Sequence, residues 1–213
     1  MNKKKSVSEN EPPAYHHGDL KNALVAAALS ILARDGINAL SLREVARSAK
    51  VSHAAPYRHF RDKEALVASI AEEGFRRLSG YMYAEIKKYP DDFRKQFEAS
   101  GVGYIKFAKE NPEYIKIMFG NHISCREDFP SLTETGRVSF MILVDSIRRC
   151  QENDIIKKGD PLEIALSAWS MTHGFSLLLI DGQLDSMNSF KSGKDFYRSV
   201  KAILSNLFEG VKI

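Results

Sequence analysis

SLREVARSAKVSHAAPYRHF, residues 41–60, reads as two short helices joined by a tight turn, the second carrying basic and hydrogen-bonding side chains. Ser41 and Glu44 stand at capping-box spacing: the Ser41 hydroxyl accepts from the Glu44 N–H, the Glu44 carboxylate reaches back to the Ser41 N–H, and a helix begins at Leu42. Val45, Ala46 and Ala49 follow Leu42 at helical spacing and form one apolar face. Ser52 offers a second N-cap, which starts the next helix near His53. On that helix His53, Ala54, Tyr57 and Arg58 share an outward face, while Ala55 and Phe60 turn toward the core. Pro56 falls in or just past its first turn, where a missing N–H forfeits at most one bond, so it reads as a rigid start and not a break. A short, polar helix end of this kind suits entry into a DNA major groove, the geometry of a helix-turn-helix.

Outward from that segment, the spacing predicts a helix over about 18–34 with Leu20, Leu24, Ala27 and Ile31 on one face, closed by Asp35-Gly36. Residues 1–14, MNKKKSVSENEPPA, carry almost nothing apolar and are expected to form a disordered basic arm. Asp62 caps a long helix running from Lys63 through Leu66, Ile70 and Phe75 to about Lys88. Beyond Pro90 apolar residues recur at three and four, with no alternating runs. This predicts helices over 91–110, 112–120, 130–152, 160–182 and 193–210. Two starts are sharp, Asn111-Pro112-Glu113 and Asp160-Pro161-Leu162-Glu163, each with a capping side chain, Pro at the first position and an early carboxylate. The expected fold is all-α, with a DNA-binding domain over residues 15–62 and a helical ligand-binding and dimerisation domain over 63–213.

Composition narrows the class. A chain of 213 residues that is 44% hydrophobic and 27% charged can bury a sizeable core. Its formal net charge of +4 is uneven: residues 1–63 hold eleven Lys/Arg against six Asp/Glu, the remainder twenty against twenty-one. The basic surplus thus coincides with the helix-turn-helix, as phosphate neutralisation requires. The two cysteines, Cys125 and Cys150, lack metal-ligand spacing and read as reduced thiols. Without an apolar leader or a membrane-length apolar run, a cytoplasmic location is expected, with no membrane partner.

The same residues resemble the tetracycline-repressor (TetR) family of bacterial transcription regulators. Ile31-Leu32 and Gly36, Ser41-Leu42-Arg43-Glu44-Val45-Ala46, Val51-Ser52, Tyr57-Arg58-His59-Phe60 and Lys63-Glu64-Ala65-Leu66 match that family's amino-terminal pattern in order, over residues 15–75. Lys50 departs from it by standing where the turn usually has Gly. If positive φ is needed there, the cost is about 1 kcal/mol. Trp169 through Gly174 resembles the W-x-x-x-H-G signature of one subgroup's effector domain, in which Tyr15-His16-His17-Gly18 and the segment Ser52 to Tyr57 also recur. The resemblance implies a homodimer on operator DNA and, commonly, a small-molecule effector.

Candidate DNA contacts divide by chemistry. Ser41, Tyr57, His59 and Lys63 match phosphate-contacting positions of the family. Arg43 suits guanine O6 and N7, His53 a purine edge, and Ala54 a thymine methyl, while Arg58 serves either class and Ser52 lies at the start of the reading element. Tyr57 can instead pack through its ring, His59 can bridge helices, and Arg43 and Lys63 can be plain surface charges. Adjacent His16-His17 cannot face one metal ion on a helix, so no metal or cofactor is expected.

In the carboxyl half, residues 161–180 are apolar almost all round, including Ile164, Leu166, Trp169, Met171, Phe175, Leu178 and Leu179. One face is expected in the core and another against a second subunit, with a companion stripe from Phe196, Val200, Ile203, Leu204 and Leu207. Tyr104, Phe107, Met118, Phe119, Trp169 and His173 are the candidates for ligand contact, although the aromatic and Met cluster around them, with Ile115, Phe140 and Met141, also reads as ordinary core. The leading expectation is a repressor released by a small, mostly apolar effector. The alternatives are a DNA-binding regulator with a filled core and no effector, or an activator. An enzyme using His173 with Asp181 or Glu163 is disfavoured by the lack of any nucleophile, phosphate-loop or paired-carboxylate motif.

Overall fold

The computed structural model describes residues 17–187 and 193–211; the arm over 1–14 and the Tyr15-His16 pair lie outside them. Among the described residues there is no β-strand, and the chain divides into two compact units, Met1–Arg61 and Asp62–Ile213.

In the first unit, α1 (His17–Asp35) packs against α2 (Leu42–Ser48). Leu24, Ala28, Ile31 and Leu32 of α1 and Leu42, Val45 and Ala46 of α2 are buried, as the four- and three-residue spacings require. The close of α1 rests on Gly36, whose N–H bonds to the Leu32 carbonyl at 3.0 Å with φ 75°, a conformation that favours glycine. Ser41 caps α2, its Oγ accepting from the Glu44 N–H at 3.2 Å. The reciprocal half of the capping box does not form, because the Glu44 carboxylate pairs with Arg47 one turn on.

The second reading helix is shorter than its sequence suggests. Residues 53–55 form a turn, and only Pro56–Arg58 continues as a single 3-10 turn capped by Ala55, with no helix from Ser52. The cause is Pro56. It has no N–H to give the Ser52 carbonyl, so that carbonyl is taken by the Ala55 N–H at 2.9 Å instead, a three-residue and not a four-residue step. Lys50 occupies the preceding turn with φ 56°, so the positive-φ position does hold a non-glycine residue.

The second unit comprises α3 (Lys63–Ile86), α4 (Phe93–Glu110), α5 (Pro112–Phe119), α6 (Pro130–Glu152), α7 (Pro161–Ile180) and α8 (Gly193–Val211). Asp62, Asp92 and Asp160 cap α3, α4 and α7 through their carboxylates. Asn111 does not cap α5; its amide turns back to the Phe107 carbonyl at 3.1 Å. Against α3, α4 approaches so closely that a Cβ on Gly103 would stand 2.7 Å from the Met82 Cα and the Tyr81 carbonyl. Two clusters of buried residues hold α8 in place. One joins Phe97, Val144, Ile147, Ala165, Leu207 and Phe208; the other joins Ile105, Phe175, Phe196, Val200 and Leu204. Cys150 lies in the first, its thiol 3.3 Å from the Phe93 carbonyl and its pKa pushed up to about 11 by burial, whereas Cys125 is partly exposed.

The two carboxyl-terminal helices dispose of their apolar residues differently. Ile164, Ala165, Ala168 and Phe175 of α7 face inward, while Leu162, Leu166, Met171 and Leu178 remain exposed. Phe196, Val200, Leu204 and Leu207 of α8 are buried in the chain's own core, so this stripe is not an outward companion to α7. The outward residues of α8 include Arg198, Lys201, Ala202 and Asn206. The chain needs the stripe itself to close the two clusters.

Candidate functional site

Two places carry chemistry that folding alone does not use. In the first unit, Arg43, Ser52, His53, Ala54, Tyr57 and Arg58 are all exposed, and Tyr57 keeps 55% of its surface open although it is flanked by buried Pro56 and Ala55. An aromatic side chain left in water beside a tight turn contributes nothing to the core and is available to a partner. Ser41 spends an oxygen lone pair on the α2 cap, which leaves its O–H free to donate. His59 is only half exposed, its ring 6.2 Å from that of Phe60. Its Nε2 is enclosed without a hydrogen-bond partner, so contact to a phosphate through that atom would require the ring to turn. Lys63, in the second unit, is exposed in the first turn of α3.

The second place is a cavity of about 530 Å³ among α3, α4, α5, α6 and α7. Phe75, Leu78 and Met82 of α3, Phe119 at the end of α5, Phe140 and Leu143 of α6, and Trp169 of α7 form its apolar walls. Aromatic rings meet edge to face around it: Phe75 on Phe119 at 5.5 Å and Phe140 on Trp169 at 6.0 Å. The hydroxyls among the walls are already engaged. Ser139 Oγ donates to the Phe75 carbonyl at 2.9 Å and lies 2.7 Å from Ser79 Oγ. Tyr104 Oη lies 2.7 Å from His173 Nδ1. Which of the two donates depends on the imidazole tautomer: Tyr104 donates if Nδ1 is unprotonated and accepts if Nδ1 carries the hydrogen. Burial favours the neutral form of both groups, because it raises the Tyr104 pKa well above its usual range and lowers that of His173. At the open side stand Arg126, Glu127, Thr133 and Arg137.

Of the six residues proposed for ligand contact, Tyr104, Phe119 and Trp169 line this cavity. His173 stands behind the lining, its ring 4.5 Å from Phe119 and 5.6 Å from Trp169, and acts on the wall by holding Tyr104. Phe107 and Met118 do not line it; both are wholly enclosed in the core, where Phe107 packs on Tyr81 and Tyr114. The α6 wall was missed, although Leu132, Gly136, Ser139, Phe140 and Leu143 fall on one face at steps of three and four. Among the described residues no three His, Cys, Asp or Glu side chains gather as a metal site, and no helix is long and apolar enough to cross a membrane.

A short capped helix, a turn and an exposed reading segment in one unit, together with a helical bundle that has its own apolar cavity in the other, define a helix-turn-helix transcription regulator. Comparison with known proteins gives the family. Residues 24–70 match the model of the bacterial regulatory proteins of the tetR family, and residues 97–202 match that of the tetracyclin repressor-like C-terminal domain. The chain belongs to the TetR family. It is 24% identical over 149 residues to the uncharacterized HTH-type transcriptional regulator YvkB of Bacillus subtilis, covering 70% of this chain and 77% of that one. A protein of unknown function from Rhodococcus sp. RHA1 shares 34% identity and superposes with a TM-score of 0.80, over 95% of this chain and 100% of that one. A TetR family transcription regulator from Marinobacter aquaeolei VT8, at 13% identity, shares the fold with a TM-score of 0.68, over 91% and 95% of the two chains. TetR regulators bind operator DNA and dimerise.

Proposed function

We propose that this chain is a homodimeric, cytoplasmic repressor that leaves its operator when a small, mostly apolar molecule fills the cavity walled by Phe75, Phe119, Phe140 and Trp169. The observation that carries this reading is the unfilled apolar cavity in the second unit of a chain whose first unit presents a DNA-reading segment. It assigns DNA reading to residues 15–62 and ligand binding and dimerisation to 63–213. Ser41, Tyr57, His59 and Lys63 take phosphates, Arg43, His53 and Ala54 meet base edges, and Ser52 and Arg58 flank them. The exposed Leu162, Leu166, Met171 and Leu178, on the two flanks of the outward side of α7, supply the apolar part of the dimer contact, because several large apolar side chains left exposed on one helix mark an interface. Around it α8 contributes polar and small residues. Trp169, His173 and Gly174 act as the W-x-x-x-H-G subgroup would have them, with Trp169 in the wall and His173 fixing Tyr104.

A route from the cavity to the start of α3 is also on hand. The loop that brings Arg126 to the cavity also carries Ser124, whose hydroxyl donates to Glu64 in the first turn of α3 at 2.6 Å. A ligand that shifts this loop shifts the helix start bearing Lys63. By linkage it releases DNA only if it binds the DNA-incompetent arrangement more tightly. The test is operator selection from random duplexes, followed by sedimentation and by screening of apolar compounds for thermal stabilisation. A twofold-symmetric site bound by two chains, and one compound that both stabilises the protein and releases that site, are the expected results. A monomer on DNA, or stabilising ligands that leave DNA binding untouched, would overturn the reading.

A further inference from the structure

The cavity is one-sided in its polarity, and this limits what its ligand can be. Along the walls the hydroxyls are committed within the protein, Ser139 to Phe75 and Ser79 and Tyr104 to His173, and no wall side chain carries a charge. A charge carried into that region would lose its water and find no partner. Any charge on the ligand must therefore remain at the open side, with the groups of the loop before α6 and of its first two turns.

Those groups are unequal. The Arg126 guanidinium is anchored, donating through Nη2 to the Met118 carbonyl at 2.7 Å, and among the described residues it meets no carboxylate and no second acceptor. Thr133 lies beside it, its hydroxyl 3.4 Å from the Arg126 carbonyl oxygen. Arg137 is neutralised by a two-point pair with Glu134, at 2.8 and 2.7 Å. Glu127 is the single acidic residue of the lining. It is exposed and held by no hydrogen bond, so it is free to swing into solvent. The fixed charge at the mouth is thus positive and in fork form, which suits a planar carboxylate or a sulfonate.

Resting on the reading of the cavity as the effector site, we infer that the effector is an amphiphile: an apolar, ring-bearing body among Phe75, Phe119, Phe140 and Trp169, and one anionic head group held by Arg126. Two probes with a common body separate the two parts of this statement. 1-Anilinonaphthalene-8-sulfonate carries a sulfonate, and N-phenyl-1-naphthylamine is the same frame without it. Trp169 is the only tryptophan in the chain, so transfer of its emission to either probe reports occupancy. Full-length protein should bind the sulfonate. Arg126→Gln should weaken that binding about 3- to 10-fold, the range for a partly exposed charge-assisted contact. It should leave the uncharged amine within about twofold. Glu127→Gln should act in the opposite direction and tighten the sulfonate. Gly136→Phe, which puts a ring into the cavity, should abolish energy transfer to both and so exclude binding to an outer surface. If Arg126→Gln and Glu127→Gln leave the sulfonate unchanged, or if Glu127→Gln weakens it, the anionic head is wrong while the cavity stands. If neither probe takes up Trp169 emission, the cavity reading itself falls.

Discussion

On the proposed reading, the DNA-reading unit and the helical bundle put function in opposite kinds of place. In the first unit it lies in side chains that folding leaves outside: Tyr57, Arg58, His53 and Arg43 are exposed while their neighbours Ala55, Pro56 and Phe60 are buried. In the second it lies in space that folding leaves unfilled, a cavity of about 530 Å³ bounded by parts of five helices. Removing a functional side chain from the first should therefore cost binding and little stability. In the second, cost depends on whether a residue faces the core or the cavity.

The largest effect expected is on stability. Phe107→Ala, at a wholly enclosed ring, should cost about 3–5 kcal/mol, whereas Phe140→Ala, at a partly exposed ring of the cavity wall, should cost under about 2 kcal/mol in the same denaturant titration. Equal costs would mean that the cavity wall is packed like the core. Next in size is Arg43→Ala, which should lose about 1–3 kcal/mol of discrimination at one base pair. Tyr57→Ala and Lys63→Ala should instead weaken all sequences alike, Lys63→Ala also lowering the salt slope by about one unit. Parallel losses for Arg43→Ala on specific and random DNA would move it to the phosphate class.

A smaller effect depends on pH. His173 is enclosed beside the Tyr104 hydroxyl, and burial holds its pKa below the ordinary 6.5. The unfolded chain therefore binds a proton that the folded chain resists. This contribution is complete above pH 6.5 and is lost as the pH falls from there toward the lowered folded value. Thermal unfolding between pH 8 and pH 5 should show a steeper acid decline in the parent than in His173→Gln; matching declines would assign the slope to other groups. Smallest of all, Lys50→Gly should stabilise the first unit by up to about 1 kcal/mol, because φ 56° suits glycine. A loss on that substitution would show the Lys50 side chain contributing more than its backbone costs.

How much of this was legible follows the same division. Helix ends could be read wherever a cap and an apolar repeat are adjacent in sequence, as at Ser41, Asp62 and Asp160, and the exposed reading face followed from its one-turn spacing. The reading helix was overestimated at Pro56, where one missing donor turns four-residue steps into three-residue ones. The cavity was only half legible. Tyr104, Phe119 and Trp169 stood out as large aromatics, but whether such a residue faces a neighbour or a void depends on partners tens of residues away, and Phe107 and Met118 look the same in sequence. The same holds for α8, whose apolar stripe suits an inner and an outer partner equally until the clusters with Phe97 and Ile105 are seen.

The unequal cysteines have a practical consequence. Thiol reagents attack the thiolate, and Cys150 is both enclosed and held in its protonated form by a pKa near 11. Cys125 is partly open in the loop that leads into Arg126. A maleimide-linked spin label or dye at neutral pH should therefore attach once per chain, at Cys125, without any engineered cysteine. The natural sequence thus carries its own attachment point for following, by spectroscopy, how the rim of the cavity responds to whatever enters it.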